Sequence, residues 1–279
     1  MNACDPYPLR RDGAEHRRLA LQAQFWAADT AALFDAAGIA EGDRAADLGC
    51  GSAHVAVELA RRVGAAGRVY ALDNDAQVLD AIDTTGWPQL EPVLGNAFAT
   101  PWPDGALDAV HARFVAAPCG RVDALLAEML RVVRPGGLVM MQEPIADSWY
   151  VPAGAAWPRL LALIRAGFAQ RGGDFDAGRA LSTRMQSVLG DVQVCRAAHT
   201  IPADHPYAAL PLAFCDALHA TWLAAGLLGD GELRALRSCI EQALRAPGAS
   251  VTTFTVMQVW GRKRAPPGRA SHKALRGTR

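Results

Sequence analysis

Apolar positions along this chain change their period several times, and each change marks an element. From Glu15 to Ala37 the side chains Leu19, Ala23, Trp26, Ala27, Leu33 and Phe34 recur at helical spacing, which predicts one or two helices closed by Gly38. Short continuous apolar runs then alternate with helical patterns. The runs predict strands near 44–48, 68–72, 91–94, 107–112 and 137–143, and the patterns between them predict helices near 53–63, 75–84 and 121–133. Pro135-Gly136-Gly137 reads as a helix stop and turn. Strands alternating with helices imply an α/β fold with a mostly parallel sheet covered on both faces.

Beyond Gln142-Glu143-Pro144 the rhythm changes. Helices are expected near 155–171 and 176–189, broken at Gly172-Gly173-Asp174, followed by a strand near 191–197. Two more helices, split at Gly229-Asp230, fill 205–246, and a strand rich in β-branched residues runs over 251–260. The expected organisation is therefore N-terminal helices over 1–40 and a sheet core over 41–145. A helical cap follows from the insertions 146–190 and 205–246, with final core strands in 191–204 and 247–263 and a disordered basic tail over 264–279.

The chemistry concentrates in Ala45-Ala46-Asp47-Leu48-Gly49-Cys50-Gly51-Ser52-Ala53-His54, which reads as strand, tight turn, helix. Glycines at such a turn accept positive φ and let a ligand approach the backbone. The helix behind it turns its free N–H groups to the same spot. Asp73 closes the next strand 22 residues after Gly51, near the ~20-residue spacing at which an acid reaches ribose hydroxyls in a nucleotide-binding βαβ unit. The dinucleotide fingerprint fails at its third glycine, where His54 stands. Asp47, Gly49, Gly51, Asp73, Asn96 and Glu143 all fall at predicted carboxyl ends of strands, where open α/β sheets bind ligands.

Acid-x-Gly-x-Gly followed by that second acid resembles the class I S-adenosylmethionine-dependent methyltransferases. Leu94-Gly95-Asn96-Ala97-Phe98 is similar to the family's adenine loop, Leu107-Asp108-Ala109-Val110-His111-Ala112-Arg113-Phe114 to its fourth strand, and Leu130-Arg131-Val132-Val133-Arg134-Pro135-Gly136-Gly137 to the helix and turn before its fifth. The resemblance covers roughly residues 40–145 and implies a Rossmann-like, seven-stranded sheet. It implies S-adenosyl-L-methionine as cofactor, S-adenosyl-L-homocysteine as product, and a small aromatic or apolar metabolite as substrate, in the manner of bacterial natural-product and quinone methyltransferases. Carried over residue by residue, Asp47, Gly49, Cys50 and Gly51 would meet the methionine part, Asp73 and Asn74 the ribose, and Asn96, Ala97 and Phe98 the adenine. His111 would lie near the methyl, and N-terminal Gln22 or Gln24 could reach the cofactor.

The family's frequent His after the fourth strand is replaced here by Ala116-Ala117-Pro118. Catalysis is accordingly expected to rest on proximity and orientation, with His111 and Glu143 as candidates for a secondary role. Trp149, Tyr150, Tyr207 and Phe214 are the expected substrate contacts. Two rival readings stand beside this one: a protein of the same fold without methyl transfer, either cyclase-like or regulatory, and a nicotinamide-dependent oxidoreductase, which the missing third glycine disfavours. Whether O-, N- or C-methylation occurs, and the oligomeric state, are left open.

Composition narrows the partners. The chain is 51% hydrophobic and 20% charged, as globular enzymes are. Residues 261–279 hold seven Lys or Arg and no acid, leaving 21 basic against 28 acidic residues elsewhere, a net charge of −7. A body of that sign is not expected to bind nucleic acid. The six cysteines show no metal-ligand spacing, so no metal is expected. The polar N-terminus has no signal-like apolar region and no run is long enough to span a membrane. The expected location is cytoplasmic.

Overall fold

In the computed structural model residues 13–265 are described; the segment 1–12 and the tail residues 266–279 lie outside the described residues. Two helices lead in, α1 (Gly13–Phe25) and α2 (Ala27–Ala37). The core follows as β1 (Arg44–Leu48), α3 (His54–Val63), β2 (Arg68–Asp73), α4 (Ala76–Asp80), β3 (Leu90–Leu94), β4 (Leu107–Arg113), α5 (Ala116–Cys119), α6 (Val122–Val132) and β5 (Val133–Ile145). Then come α7 (Ala156–Ala169), α8 (Leu181–Val188), β6 (Leu189–Ala197), β7 (Thr200–Pro202), α9 (Leu210–Ala224), α10 (Asp230–Arg245), β8 (Ser250–Thr252) and β9 (Thr255–Lys263).

Seven strands form one sheet in the order β3-β2-β1-β4-β5-β9-β6. β1 to β5 run parallel, and β9 lies antiparallel between β5 and β6. On one face Ala45, Ala109 and Leu138 pack with Val55, Leu59 and Val63 of α3; on the other Ala46, Val110 and Val139 pack with Leu125 and Met129 of α6. Both faces are covered, so consecutive strand residues are apolar. The strand order reverses between β1 and β4, which opens a crevice at their carboxyl ends.

The structure departs from the sequence reading in four places. α4 is shorter than expected: Asp75 caps it by accepting the Gln77 N–H at 3.0 Å, but Asp83 accepts the Thr85 N–H at 2.8 Å and turns the chain away. Pro135-Gly136-Gly137 does not precede β5 but bulges out of it, since the pairs Leu107↔Val133 and Ala109↔Leu138 bracket it. The last strand is two, broken at Thr253-Phe254, because Phe254 turns into an aromatic cluster and is 2% exposed. Finally, α7, α9 and α10 pack on one another, whereas α8 packs on β6 and β9. That part of the 146–190 insertion covers the sheet.

Candidate active site

The turn after β1 is left-handed three times in five residues, with φ of 70° at Gly49, 49° at Gly51 and 58° at Ala53. The Gly49 and Cys50 N–H groups donate to the Leu72 carbonyl at 2.8 and 3.0 Å, tying the turn to β2. A Cβ at Gly49 would stand 2.6 Å from Val115 Cγ2, so only glycine fits. A Cβ at Gly51 would meet nothing within 4 Å. The backbone there faces open space, and no side chain caps the first turn of α3. Cys50 is buried, and burial pushes its thiol up. It can offer a ligand its backbone and not a thiolate.

Asp73 leans over this turn. Its Oδ2 accepts the Gly51 N–H at 2.9 Å and its Oδ1 the Asp75 N–H at 3.1 Å. Burial pushes its carboxyl up against these backbone bonds. Both oxygens keep lone pairs for further donors. Asn74 beside it is exposed. After β3, the Asn96 side chain is exposed and accepts the Phe98 N–H at 2.9 Å. Ala97 is buried, and half-buried Phe98 carries the Arg121 guanidinium 4.3 Å above its ring. One face of that ring is therefore taken.

His111 and Asp47 lie beneath the turn. His111 is fully buried; its Nδ1 is 2.9 Å from Asp47 Oδ1 and its Nε2 is 3.0 Å from Gln142 Oε1. A carboxylate only accepts, so Nδ1 carries the proton. Nε2 faces the Gln142 amide. Among the described residues Gln142 Nε2 is buried without a partner. The Thr30 hydroxyl on α2 joins the chain, 3.0 Å from Gln142 Oε1. Both ring nitrogens of His111 are thus committed to protein groups, and the expected place near the methyl is corrected: the ring supports the floor of the site.

Glu143 is corrected likewise. It is fully buried, and its carboxylate accepts the N–H groups of Val115, Ala116 and Ala117 at 3.1, 2.8 and 3.0 Å. It holds the segment after β4 in place instead of facing a substrate. Burial pushes its carboxyl up to about 7 despite those donors.

A cavity of about 50 Å³ lies at the carboxyl ends of β4 and β5, walled by Phe114, Phe168, Phe175, Phe214 and Phe254. Polar lining comes from α1, through Arg18 and Gln22. Gln22 is 7% exposed and accepts from Arg18 Nη1 at 2.6 Å, whereas Gln24 is exposed. Of the four expected substrate contacts, Phe214 lines this cavity. Trp149 stands behind it, 5.8 Å from Phe214 and 5.4 Å from Phe175 between ring centroids. Tyr207 stacks on Phe25 at 4.0 Å, and its hydroxyl accepts from Trp26 Nε1 at 2.8 Å. Tyr150 is 55% exposed and pairs its backbone with Thr252, so it is no part of the wall.

Several residues here carried no signal in the sequence. Phe175 and Phe254 join Phe168 and Phe214 from separate segments of the chain, and Thr30 and Gln142 show nothing locally. Arg113 closes β4, which also carries Asp108 and His111, so it does not stand out by composition. Among the described residues no group of three His, Cys, Asp or Glu could hold a metal, and no helix is long and apolar enough to cross a membrane.

Comparison with known proteins agrees with this geometry. A family model described as a methyltransferase domain matches residues 46–141. A demethylmenaquinone methyltransferase of Lysinibacillus sphaericus (strain C3-41) is 36% identical over 104 residues, which cover 37% of this chain and 44% of that protein. The chain thus spans less than half of that relative's length. Among solved structures, a geranyl diphosphate methyltransferase in complex with SAM superposes with a TM-score of 0.52 at 17% identity, over 91% of this chain and 92% of that one. A [4+2]-cyclase superposes with a TM-score of 0.50, also at 17% identity, over 85% of this chain and 81% of the other. These two likenesses concern the fold alone. The family match, the ordered motifs and the parallel sheet all fall on one stretch, residues 46–141, which is similar to a methyltransferase domain.

Proposed function

We propose that this chain methylates a small aromatic or otherwise apolar metabolite, in bacterial secondary metabolism and in the cytoplasm. The observation that carries the reading is the phenylalanine-walled cavity against the carboxyl ends of β4 and β5, next to the glycine turn. Such a wall offers faces and edges for a flat apolar body, and it has few groups that would need a polar partner.

The residues present fit the cofactor. Gly51 leaves backbone open to it, Asp73 holds spare acceptors for a ribose diol, and Ala97 and Phe98 offer backbone and one ring edge to a base. Bound S-adenosylmethionine supplies a methyl group already activated on a sulfonium. The protein's part is to hold an acceptor in line with it, an effect worth up to ~7–11 kcal/mol. General-base help adds typically 10²–10⁴-fold, and His111 and Glu143 are not placed to give it. Glu143 contributes by fixing Val115 to Ala117 beside the cavity. Arg18, Leu19 and Gln22 of α1 close the cavity on its polar side.

The test is transfer of a labelled methyl group from S-adenosylmethionine into an extract of the producing cell. Label in an organic-soluble small molecule supports the reading. Tight S-adenosylhomocysteine binding with no transfer favours the rival, a protein of this fold that works without methyl transfer. For the wall itself, Phe214→Leu removes aromatic contacts worth roughly 0.5–1.5 kcal/mol. The substrate KM is expected to rise about two- to tenfold while S-adenosylhomocysteine affinity stays within about twofold. Equal losses of both in titration would make Phe214 a part of the fold only.

A further inference from the structure

We infer that Arg113 receives the carboxylate of the cofactor's amino-acid end, with Thr30 positioning its guanidinium. This rests on the proposed function and adds to it which residue reads that end. The register Asp47↔His111 and Leu48↔Ala112 sets Arg113 beside Gly49, at the mouth of the turn. Strand alternation puts its side chain on the same face as His111. Nη1 donates to Thr30 Oγ1 at 2.8 Å, and the side chain makes no ion pair among the described residues. The guanidinium lies within the field of Asp47, Asp29 and Tyr207, and its own charge reaches His54 at the start of α3. It therefore sits between α2, the glycine turn and α3.

Both carboxylates in its field are engaged elsewhere. Asp47 Oδ1 meets His111 Nδ1 at 2.9 Å, and Asp29 Oδ2 meets His199 Nε2 at 2.9 Å. Burial pulls Arg113 down to about 10. A guanidinium stays charged all the same, so the direction marks a cation removed from water without a counter-ion of its own, which is costly. An incoming carboxylate would supply that counter-ion, and the guanidinium fork matches it with two parallel bonds. Asp47 close by suits an ammonium. A cation and an anion side by side complement one zwitterionic α-amino acid better than a simple acid, which favours the cofactor over an acidic substrate.

The experiment is calorimetric titration of the full chain with S-adenosylhomocysteine and with 5′-methylthioadenosine, which keeps the adenosine and thioether and lacks the amino-acid end. Arg113→Met is expected to weaken S-adenosylhomocysteine by at least about tenfold, the loss of one charged hydrogen bond, and to leave methylthioadenosine within about twofold. Arg113→Lys should recover part of the loss. If Arg113→Met does not fold, Thr30→Val, which keeps the shape and drops the hydroxyl, should show the same selective loss on a smaller scale. Equal losses for both ligands, or an unchanged S-adenosylhomocysteine affinity, would overturn the assignment; the latter joined to a raised KM for an acidic substrate would give the guanidinium to the substrate. A wild-type chain that binds neither ligand would instead refute the proposed function, and this assignment with it.

Discussion

An Asp73→Ala variant is expected to lose S-adenosylhomocysteine affinity by well over tenfold while remaining folded. The carboxylate is held in place by the Gly51 and Asp75 N–H groups at 2.9 and 3.1 Å, and each oxygen keeps a lone pair for a further donor. Two ribose hydroxyls would each donate a charge-assisted bond worth roughly 1.5–3 kcal/mol. Losing both is a hundredfold effect at the least. Asp73→Asn keeps an oxygen for the Gly51 N–H and should fall in between, which separates loss of ligand bonds from collapse of the turn. Burial raises the Asp73 carboxyl, so wild-type affinity should also weaken as pH falls and the group protonates, a dependence absent in Asp73→Asn. Equal affinities in wild type and both variants would remove Asp73 from the ribose.

Glu143→Ala is expected to destabilise the whole fold. Three backbone N–H groups, of Val115, Ala116 and Ala117, would lose their acceptor, and those of Ala116 and Ala117 are buried. Each stranded donor costs about 1–3 kcal/mol, together a large share of the 5–15 kcal/mol that holds a typical domain. Thermal unfolding should show a midpoint lower by roughly 10 °C or more. Glu143→Gln, which keeps one oxygen but sets an amide nitrogen among donors, should lose less.

The same carboxyl predicts a pH dependence. Burial lifts it from an unfolded value of 4.5 to about 7 in the folded chain. The folded state then binds more protons between those values, so its contribution is full below about pH 4.5 and is lost as pH rises to about 7. Glu128 acts in the opposite sense: Arg131 and Thr100 hold it down to about 2, so its contribution is lost as pH falls below 4.5. The two windows do not overlap. Stability should decline from about pH 4.5 to 7 in wild type and be flatter in Glu143→Gln. A wild-type midpoint that does not move across that window would show Glu143 ionised throughout, held by its three donors.

How far each of these residues could be read from the chain depends on how local its cause is. The glycine turn was legible because positive φ is a property of single residues, and the structure sets Gly49 and Gly51 at 70° and 49°. The cap of α4 is equally local, since the partner of Asp75, the Gln77 N–H, is two residues away. The core strands could be placed to within a few residues because burial on both faces demands continuous apolar runs. Glu143 and His111 have the right position at strand ends but partners 26 to 64 residues distant. Nothing in their neighbourhood says whether such a group faces a ligand or a backbone. The break at Phe254, the burial of Gln22 and the exposure of Tyr150 are likewise set by which elements pack against them. What the sequence determined by itself was the parallel core, the glycine turn and the acid beside it, through backbone conformation and apolar periodicity. Tertiary structure alone decided which polar groups are spent on the protein, as His111 and Glu143 are, because a side chain's partners and its access to water are properties of the packed chain.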